Sequence, residues 1–291
     1  MEALLEWGLR GNQAVQAWGN PTLDALFRAI TMLGDEKFYL LLVPLLYWVV
    51  DKRLALRAGV LYLTSAYVNT VLKAIFTIPR PPATEVRVLD EATGYSFPSG
   101  HAQSTTTAWG YLAASARRRW LWTLTLLAVL LVGLSRVYLG VHYPQDVIAG
   151  TLVGAVLVAL FIWLEKRIVG RFHLSLGTRL LLALVAPLIL LLLHAETDTG
   201  SSMGTLLGLG FGVVLEREYV RFSTAGTAMK RALRFLLGIV VLVGLYFGLK
   251  IVFPAGLGFR VLRYGLIGLW ASLLAPWVFV RTGLAPREEV S

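Results

Sequence analysis

Cysteine is absent from all 291 residues, which excludes disulfides, thiolate metal sites and a cysteine nucleophile together. Charge is scarce too. Asp, Glu, Lys and Arg make up 15% of the chain, against about a quarter in soluble domains. With 57% hydrophobic residues and a mean hydropathy of +0.69, there is too little polar surface to dissolve a globule, so the soluble class is excluded. Acids are fewer than bases, 17 against 27, leaving a formal charge of +10. In a soluble protein that excess points to nucleic acid; here its distribution along the chain gives it another meaning. Period-two alternation is also missing from the Leu- and Ala-rich apolar stretches, which argues against strands.

What the chain does contain is a series of charge-free runs at 38–50, 58–72, 101–116, 120–135, 147–164, 180–193, 199–215, 235–249 and 264–280. A helix needs about 20 mostly apolar residues to cross a bilayer. Several runs fall short of that, but their Lys and Arg flanks can snorkel and lengthen the apolar stretch. The expected fold is all-α: a polytopic transmembrane helix bundle of about nine spans. Nine Trp and eleven Tyr suit rings placed at two membrane interfaces. Ahead of the first run, Leu4, Leu5, Leu9, Val15 and Trp18 lie among polar residues. They predict an amphipathic helix in the interface over 1–37, with a frayed terminus as the alternative. Glu2 and Glu6 occupy the place of a basic n-region, so no signal peptide is expected.

Assigning alternate connections to opposite sides separates the charges. One side holds 17 of the 27 basic residues with six acids, among them Arg117–Arg119, Lys52, Arg234 and Glu289; the other holds ten bases and eleven acids. The positive-inside bias makes the first side cytoplasmic, which puts the N-terminus outside and the C-terminus inside. The positive charge is then a topology signal, and no nucleic-acid partner is expected.

Three short clusters at span ends fall on the outer face by this arithmetic. The first runs from Lys73 to Arg80-Pro81-Pro82, where proline ends the helix. The second is Phe97-Pro98-Ser99-Gly100-His101, and the third Ser135-Arg136 followed by His142-Tyr143-Pro144-Gln145-Asp146. Lys73, Arg80 and Arg136 supply three positive charges, enough for a phosphate carrying about two negative ones, and Arg can grip phosphate oxygens bidentately. Taken singly, each reads equally as an interfacial snorkeler. Ser99 and Gly100 precede a helix whose unpaired N–H groups attract anions, or they are a plain helix start. His142 is a candidate nucleophile on phosphorus. Asp146, four residues on, is placed to fix its tautomer or merely to complement the helix dipole. His101 suits a general acid for the leaving oxygen. Two of the four histidines fall in these clusters.

Taken together, Lys73, Arg80, Pro81, Pro98, Ser99, Gly100, His101, Ser135, Arg136, His142 and Asp146 form the pattern K-x6-R-P, P-S-G-H and S-R-x5-H-x3-D. This resembles the signature of the type 2 phosphatidic acid phosphatase / vanadium haloperoxidase superfamily at every position. The resemblance implies a catalytic helical core at 38–165 and a four-span extension at 166–291. It also implies a metal-independent phosphatase with no cofactor, acting through a phosphohistidine. By resemblance, His142 is the nucleophile, His101 the acid and Asp146 the orienter, while Lys73, Arg80, Ser99, Gly100 and Arg136 bind phosphate. No metal site is expected; His194, Glu196 and Asp198 come closest to ligand spacing, and a solvated turn explains them better.

Nine spans with the N-terminus outside are similar to the glucose-6-phosphatase branch of the superfamily, as is the run Gly204–Gly212, which small-residue helix packing also explains. That branch lacks the final Asp, so Asp146 pulls the reading towards lipid phosphatases. The expected activity is hydrolysis of a lipid phosphate or prenyl diphosphate at the extracytoplasmic face, with membrane lipids as partners. A sugar-phosphate phosphatase is the alternative within chemistry, and a non-hydrolytic lipid or phosphate transporter the alternative in another class. The outer loop 83–96, with Glu85, Arg87, Asp90, Glu91 and Tyr95, reads as a lid, a headgroup contact or a solvated connection.

Overall fold

The computed structural model describes residues 2–168, 170–172 and 174–288; Glu289, counted above with the basic side, lies outside them. Helices are α1 (Glu2–Gln16), α2 (Pro21–Thr31), α3 (Glu36–Leu45), α4 (Lys52–Phe76), α5 (Gly100–Ala116), α6 (Arg119–Tyr138), α7 (Pro144–Ile168), α8 (Leu176–Leu193), α9 (Thr197–Leu215), α10 (Ala228–Val252), α11 (Leu257–Leu269) and α12 (Ala275–Arg281). π turns follow α3, α9 and α11. Among the described residues the only extended pairing is a single bridge, Phe222 with Arg287. The chain is all-helical, as its composition requires.

Local chemistry sets the helix starts. Asn20 caps α2 by accepting from Leu23 N at 3.0 Å, with Pro21 as its first residue. Ser175 caps α8 and Thr227 caps α10 in the same way. A cap oxygen satisfies one of the orphan N–H groups of a first turn, and proline has no N–H to orphan.

Every apolar run identified in the sequence falls on helix. Among the described residues, six helical stretches are long and apolar enough to cross a membrane by length and composition: α4, α6, α7, α8, α10 and Leu257–Arg281. The runs 38–50, 101–116 and 199–215 are helical without meeting that standard, for a physical reason. α5 has 17 residues and α3 has ten, extended by a π turn. α5 and α9 are lined with Thr, Ser and Gly that are buried against protein rather than presented outward.

The chain divides into two compact units, Met1–Leu40 with Val68–Arg167, and Leu41–Tyr67 with Ile168–Ser291. In the first, α5 packs along α6, and α1 and α2 also pack on α6. Gly150 and Gly154 of α7 let it approach α5: an added Cβ would lie 2.4 Å from Ser99 O and 2.8 Å from Gln103 O. α1 turns Leu4, Trp7 and Trp18 beyond its end outward, while Gly8 and Asn12 are buried.

In the second unit α9 meets α11 through glycines. A Cβ on Gly204 would stand 2.6 Å from Val261 O, and one on Gly208 would stand 1.9 Å from Gly265 O. The glycine run thus serves close helix packing, the small-residue mode of membrane helices. The same unit buries a charge cluster. Lys52 donates to Phe222 O at 2.6 Å, Glu288 at 2.9 Å and Glu216 at 3.4 Å. Arg234, fully buried, donates to the carbonyls of Ser223, Thr224 and Ala225.

Candidate active site

The site forms at one end of the first unit, where the loop 77–99 and the turn 139–143 connect α4 to α5 and α6 to α7. The turn Arg117-Arg118 lies at the other end of α5 and α6. His142 is 2% exposed and Asp146 fully buried. The His142 Nδ1–Asp146 Oδ2 distance is 3.3 Å, and the same oxygen accepts from Tyr143 N at 2.9 Å. On the other side of the ring, Arg80 Nη1 stands 3.3 Å from Nε2. A guanidinium only donates, so Nε2 is the acceptor in that contact and the ring proton sits on Nδ1, facing Asp146. His142 is held neutral: burial pushes its pKa well below 6.5, and Arg136, Lys73 and Arg80 push it further the same way.

The cations are anchored from several directions. Arg80 donates to the carbonyls of Val141 (2.7 Å), Thr93 (2.8 Å) and Gly94 (3.1 Å). Burial lowers its pKa to about 10, so it stays charged at neutral pH. Lys73 donates to Tyr95 O. Arg136, 2% exposed, donates to Thr31 Oγ1 at 2.8 Å and to Asp90 Oδ2 at 2.6 Å. Ser99 caps α5 through its side chain, and its N–H donates to Asp146 O at 2.9 Å, tying the second cluster to the third. A Cβ on Gly100 would stand 3.0 Å from Asn69 Oδ1, and Asn69 in turn bonds Pro98 O and Gln103. His101, in the first turn of α5, faces an open cleft of about 680 Å³ that it shares with Arg28, Thr31, Asp35, Asp90 and Glu91.

Thus His142, Asp146, Arg80 and Ser99 belong to one bonded network, Gly100 adjoins it at the α5 start, and Lys73 and Arg136 are close enough to act electrostatically on His142. Two participants escape the sequence pattern. Asp90 pairs with Arg136, although its loop position gives no sign of it. Asn12, in α1, is buried against the His142 turn. At the trio in the second unit, His194 lies 3.6 Å from Glu196, and Asp198 pairs with Arg260 at 3.3 Å.

Such a site has known relatives. The model of the PAP2 superfamily matches residues 54–169, and that of the PAP2 superfamily phosphatase, transmembrane extension, matches 200–287. The chain is 36% identical over 143 residues to sphingosine-1-phosphate phosphatase 2 of Mus musculus, covering 46% of this chain and 40% of that one. It is 28% identical over 171 residues to lipid phosphate phosphatase delta of Arabidopsis thaliana, covering 53% and 41%. It therefore spans about two-fifths of the length of these curated relatives. Among solved structures it resembles the first transmembrane PAP2 type phosphatidylglycerolphosphate phosphatase from Bacillus subtilis. That match has a TM-score of 0.52 and 26% identity, covering 60% of this chain and 90% of that one.

Proposed function

The chain belongs to the PAP2 superfamily, and from that membership we propose that it is a metal-independent membrane phosphatase acting on a lipid phosphate or prenyl diphosphate. The observation that carries the proposal is the neutral His142, oriented by Asp146 on one edge and facing Arg80 on the other. A phosphate entering beside Arg80, Lys73 and Arg136 takes over the guanidinium donor now aimed at Nε2, and the Nε2 lone pair then faces phosphorus. The N–P bond forms as the bond to the leaving oxygen breaks, and His101, which takes up a proton once the bound phosphate offsets the neighbouring cations, gives it to that oxygen. Asp146 stabilises the imidazole as it gains positive character. Water, deprotonated by His101, then attacks phosphorus, the N–P bond breaks and inorganic phosphate leaves. The α5 N-terminus at Ser99 and Gly100 adds N–H groups and dipole to the anion site.

The fold is read as nine crossings with the N-terminus outside. Support for an extracytoplasmic site comes from the basic Arg117–Arg119 turn at the opposite end of α5 and α6 from the site loops. A cysteine at Glu91 then reacts with an impermeant thiol reagent from outside, and one at Arg118 does not; the reverse labelling would move the site to the cytoplasmic face. A lipid substrate is favoured because its tail stays in the bilayer and few headgroup contacts are needed. A sugar phosphate has no such anchor, and its directed contacts would come from a cleft rich in carboxylates.

The test is phosphate release by the purified chain in nanodiscs with EDTA present. The panel is short-chain phosphatidic acid, sphingosine 1-phosphate, a prenyl diphosphate and glucose 6-phosphate. Lipids are expected to exceed the sugar phosphate in kcat/KM. Activity on glucose 6-phosphate alone would transfer the assignment to a sugar phosphatase, and no release from any substrate would favour a transporter. Loss of activity in EDTA would refute the cation-only phosphate site.

A further inference from the structure

The matched PAP2 segment begins at residue 54, yet the turn carrying His142 is braced from α1, well before it. Asn12 is fully buried, and its Nδ2 donates to both Val137 O at 2.8 Å and His142 O at 2.9 Å. A side-chain amide has two N–H donors, and here both are used, one at each end of the turn that follows Arg136 and closes on His142. One helical turn further on, Gln16 donates to Tyr138 O at 2.7 Å. It also bonds both backbone groups of Arg87 in the outer loop, N–H at 2.9 Å and C=O at 2.7 Å. On the same stripe, Gly8 and Gly11 let α1 lie against the start of α7. A Cβ on Gly8 would meet Gln145 Oε1 at 2.4 Å, and one on Gly11 would meet Pro144 Cγ at 2.8 Å. Leu139 O is held by Leu89 N, and Gly140, at φ 72°, admits no Cβ because Arg87 O would stand 2.3 Å away.

We infer that α1 is a working part of the active site and that Asn12 is a positioning residue for the nucleophile. It fixes the separation between Arg136, which holds phosphate, and His142, which attacks it. Asn12 touches neither the substrate nor the imidazole ring; it acts through the two carbonyls. Replacing its amide takes the side-chain donor from His142 O in a buried turn, while Val137 O keeps Gly140 N at 3.1 Å, and frees the His142 backbone to drift from the line of attack. Attack is steeply sensitive to such drift, whereas phosphate binding by Lys73, Arg80 and Arg136 is not.

The inference rests on the phosphatase reading, and the experiment separates the two. With the full chain in nanodiscs and a short-chain lipid phosphate, Asn12→Ala is expected to lower kcat about 30-fold. KM and inhibition by inorganic phosphate should stay within about twofold of wild type. The loss should be the same for p-nitrophenyl phosphate, whose leaving group needs no acid, because nucleophile placement and not protonation is impaired. Gly11→Ala keeps the amide but lifts α1 from Pro144, and is expected to lower kcat about tenfold in the same pattern. Wild-type kcat in either folded variant would overturn the inference, as would joint loss of turnover, phosphate inhibition and thermal stability in Gly11→Ala. If Asn12→Ala does not fold, Gly11→Ala decides alone. A wild-type chain that releases no phosphate from any substrate refutes the phosphatase reading instead.

Discussion

Two clusters of buried charge, one in each compact unit, are built from the same materials to opposite ends. In the second unit Lys52 spends its ammonium donors on Phe222 O, Glu288 and Glu216, and Arg234 is wrapped by three carbonyls. Cations and acceptors close on one another. In the first unit three cations, Lys73, Arg80 and Arg136, surround a neutral imidazole, with Asp146 behind the ring and Asp90 at the edge of an open cleft. A closed cluster of this kind makes structure; one with cationic excess, opening on a cleft, makes an anion site. The carboxylate that meets Arg136, Asp90, sits on the loop between α4 and α5, at the edge of the cleft.

That contrast can be broken experimentally, and the largest expected effect is at the nucleophile. His142→Ala should lower kcat by about 10⁴ or more, roughly 5 kcal/mol, with the thermal transition unchanged. Wild-type turnover in that variant would end the mechanism. In the wild type, the acid limb of kcat/KM should lie below pH 6.5, because the folded pKa is depressed and the attacking form is therefore lost only at lower pH. His101→Ala should cost about 10²–10³ on an alkyl phosphate and distinctly less on p-nitrophenyl phosphate; an equal loss on both would remove His101 from the acid role.

In the closed cluster the effect should appear as stability. Lys52→Ala leaves Glu216 buried without its cation, held only by Phe222 N at 2.7 Å, a loss of about 3 kcal/mol, so the thermal transition should fall while kcat/KM of the folded fraction holds. A folded, stable and inactive Lys52→Ala would erase the distinction between the clusters. Smallest is Asp90→Asn, which removes the charge competing for Arg136. Inhibition by inorganic phosphate should tighten about threefold, of order 0.6 kcal/mol; weaker inhibition would mean that Asp90 organises Arg136 instead of occupying it.

The parts legible in sequence are those where chemistry restricts residue type. The proposed phosphate chemistry ties Lys73, Arg80, His101, Arg136, His142 and Asp146 to fixed types, and the turn into α7 brings Asp146, in the first turn of that helix, back onto His142. Helix content was legible for the same reason, since a backbone in lipid must bond to itself. Hydropathy identified the three weak runs as helices but says little about what covers their sides. Asp90 reads as any loop acid, because nothing local marks its distant partner. In and just after α1 the visible signal is Leu4, Leu9 and Trp18, while the residues that reach the site are the small and polar Gly8, Gly11, Asn12 and Gln16. Apolar patterning reports what a helix turns towards lipid or core, and a polar contact to someone else's backbone leaves no period.

The composition of α5 bears on how the protein is made. Its buried side includes Gln103, Thr105, Thr106 and Thr107, groups that gain little from entering hydrocarbon alone. Released singly from the insertion machinery, this segment would partition poorly. Its chain neighbour α6, apolar along its length and packed against it, offers the cover it needs. On the topology proposed above, the two would enter as a hairpin hinged at Arg117–Arg118. The placement of His101 at the start of α5 would then wait for the synthesis of α6.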